Sequence, residues 1–269
     1  MSTYVALGDS FAAGIGSRTP GGRCRRDGGY PMTVAAALGV DLAYQACQST
    51  TVIDVLADQV EALTPSTELV TLTVGGNDAG FADVVLAAAK PRLLVDGVRV
   101  IDEARRRTVR VLPRLLLALL DEIAERAPDA RVVVTGYPQL FGARDCRWYT
   151  FFDADELAAL SHGTDALVQL ILDVASRRDT TLVDVRPWFG DRHACGTEPW
   201  IHHLTWPLQD SFHPTSAGHD AIAAAVLHAL GQRTDHRSLT AAPPEVRPGP
   251  CLNECEIDVP TLLTAGLHG

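Results

Sequence analysis

Four residues in three separated stretches have the side-chain types needed for acyl transfer. Ser10 lies in Gly8-Asp9-Ser10-Phe11, Asn77 in Gly75-Gly76-Asn77-Asp78, and Asp210 and His213 in Asp210-Ser211-Phe212-His213-Pro214. Such chemistry uses a nucleophile, a base that takes its proton, an acid that holds the base in one tautomer, and donors aimed at the developing oxyanion. Asp210 and His213 are three residues apart, so one turn can bring the carboxylate to Nδ1 while Nε2 faces Ser10. Each residue also has an ordinary reading. Ser10 could cap a helix, Asn77 could hold a turn, Asp210 could be a surface carboxylate, and His213-Pro214 could open a helix. The four together favour chemistry.

The elements around them decide whether they can meet. Tyr4 to Leu7 is short and apolar on both faces, as a buried strand of a parallel sheet should be, and it stops at Gly8. Asp41 to Ala46, Leu69 to Val74, Arg131 to Thr135 and Thr181 to Val185 are the further strands. Between them the spacing predicts helices over Tyr30 to Leu38 (Pro31 in its first turn), Val52 to Leu63, Phe81 to Ala89 and Val98 to Arg126. Pro113 is expected to kink or break the last of these. A helix starts at Asp153, with Glu156 as its capping-box partner, and another covers Ser216 to Leu230. Strands alternating with helices predict a three-layer α/β/α sandwich around a central five-stranded, mainly parallel sheet. Ser10, Asn77 and the Asp210–His213 turn then lie at one carboxyl edge of that sheet, where open α/β sheets bind ligands.

Length and composition bound the rest. The 269 residues fit one large α/β domain and can bury a sizeable core. A formal net charge of -10 argues against nucleic acid or an anionic membrane as partner. Arg105, Arg106, Arg107, Arg110 and Arg114 cluster, but acidic residues flank them, so they read as a solvated helix face. No uninterrupted run of 18 apolar residues occurs, so no transmembrane segment is expected. The six cysteines, Cys24, Cys47, Cys146, Cys195, Cys251 and Cys255, are even in number and lie in turn-rich stretches, which suits disulfides and an oxidising compartment. The protein is therefore expected to be extracellular, Met1 standing in place of a removed leader. Zinc is the competing reading, but Cys251 and Cys255 have no second pair nearby to complete a four-ligand set. His202 and His203 are read as loop residues rather than metal ligands, and His219 as helix surface. No cofactor is expected, since neither a GxGxxG nor a GxxxxGK loop is present.

With these motifs in this order the chain resembles the SGNH hydrolase (GDSL esterase/lipase) family from Tyr4 to Leu230, and Tyr137-Pro138-Gln139-Leu140-Phe141 is similar to its secreted bacterial lipase/esterase branch. The resemblance implies the flavodoxin-like fold of that family and a catalytic domain over 1–231, while the shift to Pro, Gly, Thr and charge from Gly231 onward reads as an irregular Pro-rich tail, 232–269, packed upon it. It implies Ser10 as nucleophile, His213 as base and then acid, and Asp210 as the orienting carboxylate. The oxyanion hole would use the Ser10 N–H, the Asn77 amide and a backbone N–H after the second strand. There the sequence departs from the family, because Ser49 stands where that glycine usually does. The branch typically has three disulfides, implying Cys24–Cys47, Cys146–Cys195 and Cys251–Cys255. A second departure is that the segment after Asp78 lacks the cysteine pair often found there.

The expected protein is a monomeric, metal-independent carboxylic-ester hydrolase working through an acyl-enzyme on a small-molecule or lipid ester. Phe81, Val84, Val85, Trp188, Phe189 and Trp206 are candidates for an acyl groove. The alternatives are a carbohydrate O-deacetylase on the same fold and a catalytically silent binding domain.

Overall fold

The computed structural model describes residues 4–17, 22, 24, 27–88, 96–143, 152–232 and 246–247, with backbone only at 83, 86–88 and 246–247. The strands are β1 (Tyr4–Gly8), β2 (Leu42–Tyr44), β3 (Leu69–Thr73), β4 (Arg131–Thr135), β5 (Thr181–Val183) and β6 (Val246–Arg247). Their order is β5-β4-β3-β1-β2-β6, and every pairing is parallel. The central five strands are those expected. The two-residue β6, from the Pro-rich stretch after 231, is an addition at the β2 edge. Both β1 and β3 are buried along their whole length, as strands covered on both faces must be.

The helices are α1 (Tyr30–Leu38), α2 (Val52–Ala57), α3 (Phe81–Ala88), α4 (Gly97–Arg126), α5 (Ala154–Ala175), α6 (Arg186–Phe189) and α7 (Ser216–Ala229). The chain leaves β1 toward β2 and leaves β3 in the opposite direction, toward β4. Right-handed crossovers therefore put α1 and α4 on opposite faces of the sheet. Accordingly α1 packs on α7, while α2, α3 and α5 all pack on α4. The reversal of strand order falls between β1 and β3, which is the ligand-binding switch point of such sheets. Ser10 and Asn77 each follow one of these two strands.

Two helices differ from expectation. α4 runs unbroken for 30 residues through Pro113. Leu112, Leu116, Leu119, Leu120 and Ile123 bury a continuous stripe on both sides of the proline, and that packing outweighs one missing N–H. The carbonyl it strands belongs to Val109, on the exposed side of the helix. The segment expected to be helical to Leu63 ends as α2 at Ala57 and resumes as a 3₁₀ turn, Gln59–Ala62. The break lets the Gln59 side chain reach the backbone of Gly8.

The capping box at Asp153 and Glu156 is present at the start of α5. By length and composition α5 is apolar enough to cross a bilayer, with a mean hydropathy of 1.2 over its best window, but here it packs along α4. All five arginines of the basic cluster are exposed on α4, a solvated face as read. His219, read as surface, is instead 1% exposed. α7 lies under the loop after Ser10, where His219 Nε2 meets the Ile15 carbonyl at 3.0 Å. Cys24 and Cys47 form a disulfide, and Cys195 is disulfide-bonded as well. Cys146, Cys251 and Cys255 lie outside the described residues.

Candidate active site

The site begins where β1 ends. Gly8 has φ +134°, and a Cβ there would lie 2.1 Å from the Thr73 carbonyl oxygen, so only glycine lets the two strands come this close. Gln59 holds this glycine at two points: Oε1 accepts from the Gly8 N–H at 2.7 Å and Nε2 donates to the Gly8 carbonyl at 3.0 Å. The Asp9 N–H then donates to Thr73 O at 2.9 Å, and the chain turns sharply to present Ser10.

Ser10 Oγ lies 2.7 Å from His213 Nε2, across 203 residues of sequence. His213 Nδ1 lies 2.9 Å from the Ser211 carbonyl. A carbonyl only accepts, so this contact places the imidazole proton on Nδ1 and leaves Nε2 to accept from Ser10. Asp210 is buried in the same turn, and its carbonyl accepts from the His213 N–H at 3.2 Å. The Ser211 carbonyl was not foreseen, because backbone acceptors carry no residue-type signal.

The histidine turn is fastened to the serine loop from several directions. His202 pairs with the turn through its backbone, donating its N–H to His213 O at 2.9 Å and accepting from the Phe212 N–H at 3.0 Å. The His202 ring reaches the Gly16 carbonyl at 2.7 Å. It therefore links the two halves of the site, while among the described residues no group of His, Cys, Asp and Glu is arranged to hold a metal. At Gly16 (φ +87°) a Cβ would come 2.4 Å from the Pro214 carbonyl, so this junction also needs glycine. Phe11 packs between the rings of His213 and Tyr137, with centroids at 5.3 and 5.1 Å.

The oxyanion side is built from the turn after β3. Asn77 Nδ2 donates to Thr50 O at 2.8 Å, which orients the amide and leaves its second hydrogen for a substrate oxygen. Asp78 accepts from the Val52 N–H at 3.1 Å, tying this turn to the start of α2. Burial raises its carboxyl above the usual range, against the lowering effect of that bond. Ser49 has φ +63°, in the left-handed region that favours glycine. A serine thus holds a backbone conformation there that glycine adopts more readily.

A buried pair stands behind Ser10. The Tyr137 hydroxyl donates to Asp9 Oδ2 at 2.5 Å and accepts from the Gly76 N–H at 2.9 Å, while Asp9 Oδ1 accepts from the Phe11 N–H at 3.0 Å. One phenol therefore bridges the Ser10 turn and the Asn77 turn. Burial pushes the Asp9 carboxyl up to about 7, and the bonds from Tyr137 and Phe11 only partly offset it.

Three substitutions probe this geometry. Ser49→Gly should relieve left-handed strain and stabilise the protein by ~1 kcal/mol in urea unfolding, with ester turnover within a few-fold of wild type. Asn77→Ala should lose about 10²–10³ in turnover, and an equal loss in Ser49→Gly would contradict the assignment. Asp9 is more easily protonated in the fold than in the unfolded chain, whose reference is 3.8, so its contribution to stability falls as pH rises from 3.8 to about 7. Asp9→Asn should therefore gain stability relative to wild type between pH 4 and pH 8, read from urea midpoints; the opposite slope would refute the raised value.

The GDSL-like lipase/acylhydrolase family matches residues 6–221. A lipase of Streptomyces rimosus is 34% identical over 221 residues, 80% of this chain and 81% of the relative. The crystal structure of the extracellular lipase of that organism superposes with a TM-score of 0.77 at 31% identity, over 86% of this chain and 99% of its own. Phospholipase A1 from Streptomyces albidoflavus NA297 gives 0.77 at 32% identity, over 85% and 97%. The chain belongs to the GDSL-like lipase/acylhydrolase family and is a serine ester hydrolase of that type.

Proposed function

We propose that the protein is a secreted hydrolase of lipid or other apolar acyl esters, acting through an acyl-enzyme on Ser10. The observation that carries the reading is the 2.7 Å contact of Ser10 Oγ with His213 Nε2 at the end of an apolar groove. The pocket at Ser10 and Asn77 shares Phe81, Thr164 and Leu167 with a second, apolar cavity between α3, α4 and α5. That cavity continues past Val84, Ile101 and Leu170. A channel of this kind suits an extended acyl chain better than an acetyl group, and so favours the lipase reading over the O-deacetylase. Of the six apolar residues expected there, Phe81 and Val84 line it. Val85 is buried outside its lining, Phe189 is buried against Trp200, the Trp188 ring is tilted against His228 with centroids 5.7 Å apart, and Trp206 is exposed.

In the proposed reaction His213 Nε2 takes the Ser10 proton as Oγ attacks the ester carbonyl carbon. The oxyanion accepts from the Ser10 and Ser49 backbone N–H groups and the Asn77 amide. Asp210 and the Ser211 carbonyl hold the imidazolium. As the tetrahedral centre collapses, the carbon–alkoxide bond breaks and the alkoxide leaves with the proton from Nε2. Water then repeats the sequence and frees the acid and Ser10. Secretion is supported by the disulfide at Cys24–Cys47 and by the relative described as extracellular. We read 1–231 as the catalytic domain and the remainder as a tail packed on it, a reading supported by the pairing of β6 with β2.

Hydrolysis of p-nitrophenyl esters from acetate to palmitate tests this. Ser10→Ala should lose at least ~10³-fold in turnover on every chain length, and wild type should keep its rate in EDTA. Rates that peak at acetate would select the deacetylase instead. Gly163 faces the groove with only Ile101 within 3.7 Å of an added Cβ. Gly163→Leu should therefore slow long-chain esters, spare butyrate, and raise the melting temperature through helix propensity worth ~1 kcal/mol.

A further inference from the structure

The most exposed large apolar side chain among the described residues is Trp206, at 84%, and Leu208 beside it is 61% exposed. Both sit on a short loop that closes on itself. Ser211 Oγ accepts from the Thr205 N–H at 2.9 Å and donates to the Thr205 carbonyl at 3.2 Å. Inside that ring the Asp210 N–H donates to Pro207 O at 2.9 Å and the Ser211 N–H to Leu208 O at 3.1 Å. These bonds tie the loop into one shape, and its two large apolar side chains stand exposed rather than folded onto the core. An exposed apolar patch rimmed by polar residues marks an interaction surface, and these two side chains are the apolar surface this loop offers.

The base of the loop continues directly into Asp210 and His213, whose imidazole contacts Ser10. Whatever the tip touches is therefore held next to the site. Charge narrows the partner. No Lys, Arg, Asp or Glu lies between Glu198 and Asp210, and the chain as a whole carries a formal charge of -10. Such a tip suits an uncharged or zwitterionic surface and disfavours an anionic one. A tryptophan beside a leucine is the pairing that partitions into the headgroup region of a lipid layer, where the indole keeps its N–H near water.

We propose that the Thr205–Ser211 loop is a lipid-surface anchor, with Trp206 and Leu208 entering a neutral or zwitterionic lipid layer and holding the Ser10 site against it. The inference rests on the lipid-ester reading for its purpose but not for its measurement. It implies that turnover on aggregated substrate depends on these two side chains, whereas turnover on dissolved substrate does not.

The test uses full-length protein carrying Ser10→Ala, so that binding is read without hydrolysis, and vesicles of phosphatidylcholine followed by sedimentation. Trp206→Ser and Leu208→Ser should each weaken vesicle partitioning about tenfold, and about a hundredfold together. Val111→Ser, which removes a side chain 51% exposed on α4, should leave partitioning unchanged. In the Ser10-containing enzyme the loop variants should retain their rate on dissolved p-nitrophenyl butyrate and lose it on phosphatidylcholine-dispersed long-chain ester. Partitioning of the loop variants equal to the parent would overturn the proposal. So would an equal loss in Val111→Ser, stronger binding to anionic vesicles, or a matching loss on dissolved ester. A wild type that binds vesicles but cleaves no ester would sink the hydrolase reading and leave the anchor standing.

Discussion

The approach of Gly8 to the backbone of β3 is the constraint on which the site depends. β1 and β3 are adjacent parallel strands, and at their carboxyl ends the chain must turn in two directions at once. Only a residue without Cβ tolerates a carbonyl at this distance with φ +134°. Gln59 then satisfies both polar groups of that glycine, so the turn is buried without leaving an unpaired donor or acceptor. Ser10 and Asn77 are neighbours because of this crossing, and the histidine turn is brought to them from the far end of the chain.

The buried polar groups form a second layer of control. Tyr137 stands between Asp9 and Gly76, and Tyr30 reaches Thr73, which in turn meets Thr135 at 2.6 Å. These contacts cross three neighbouring strands just below the site. In such low-dielectric surroundings a satisfied network is rigid, whereas losing one partner leaves a costly orphan. The same burial that makes the network stiff raises the Asp9 carboxyl, so rigidity behind Ser10 comes with a carboxyl that resists ionisation.

Much of the architecture was legible in the sequence. Strong apolar runs such as Val132-Val133-Val134 and paired signals such as Asp153 with Glu156 are local, and local physics decides them. The four chemical residues were legible for a different reason, since each sits just after a strand or before a helix, at one rim of a parallel sheet. Pro113 misled because helix-breaking is a local cost, while the leucine stripe of α4 is a tertiary gain. His219 misled for a related reason: an imidazole in a helix reads as polar surface until another segment, here the Ile15 carbonyl, covers it. The grouping of aromatic residues near the site in sequence predicted a groove wall, yet Phe189 went to the core and Trp206 to solvent.

By itself the sequence determined the α/β class, the strands and most helices, and which residue types stand at the carboxyl rim, because periodicity, caps and glycine turns act over a few residues. Tertiary structure decided everything that needs two distant segments to touch. Gln59 became a clamp on Gly8, the Ser211 carbonyl set the tautomer of His213, and Tyr137 came to bridge two turns. Ser49 shows the division most plainly. Its residue type gives no sign of a positive φ, but the folded chain holds it in the left-handed conformation. Backbone conformation there is imposed by the neighbours that pack around it, and a residue's own preference, worth ~1–2 kcal/mol, is too small to resist them.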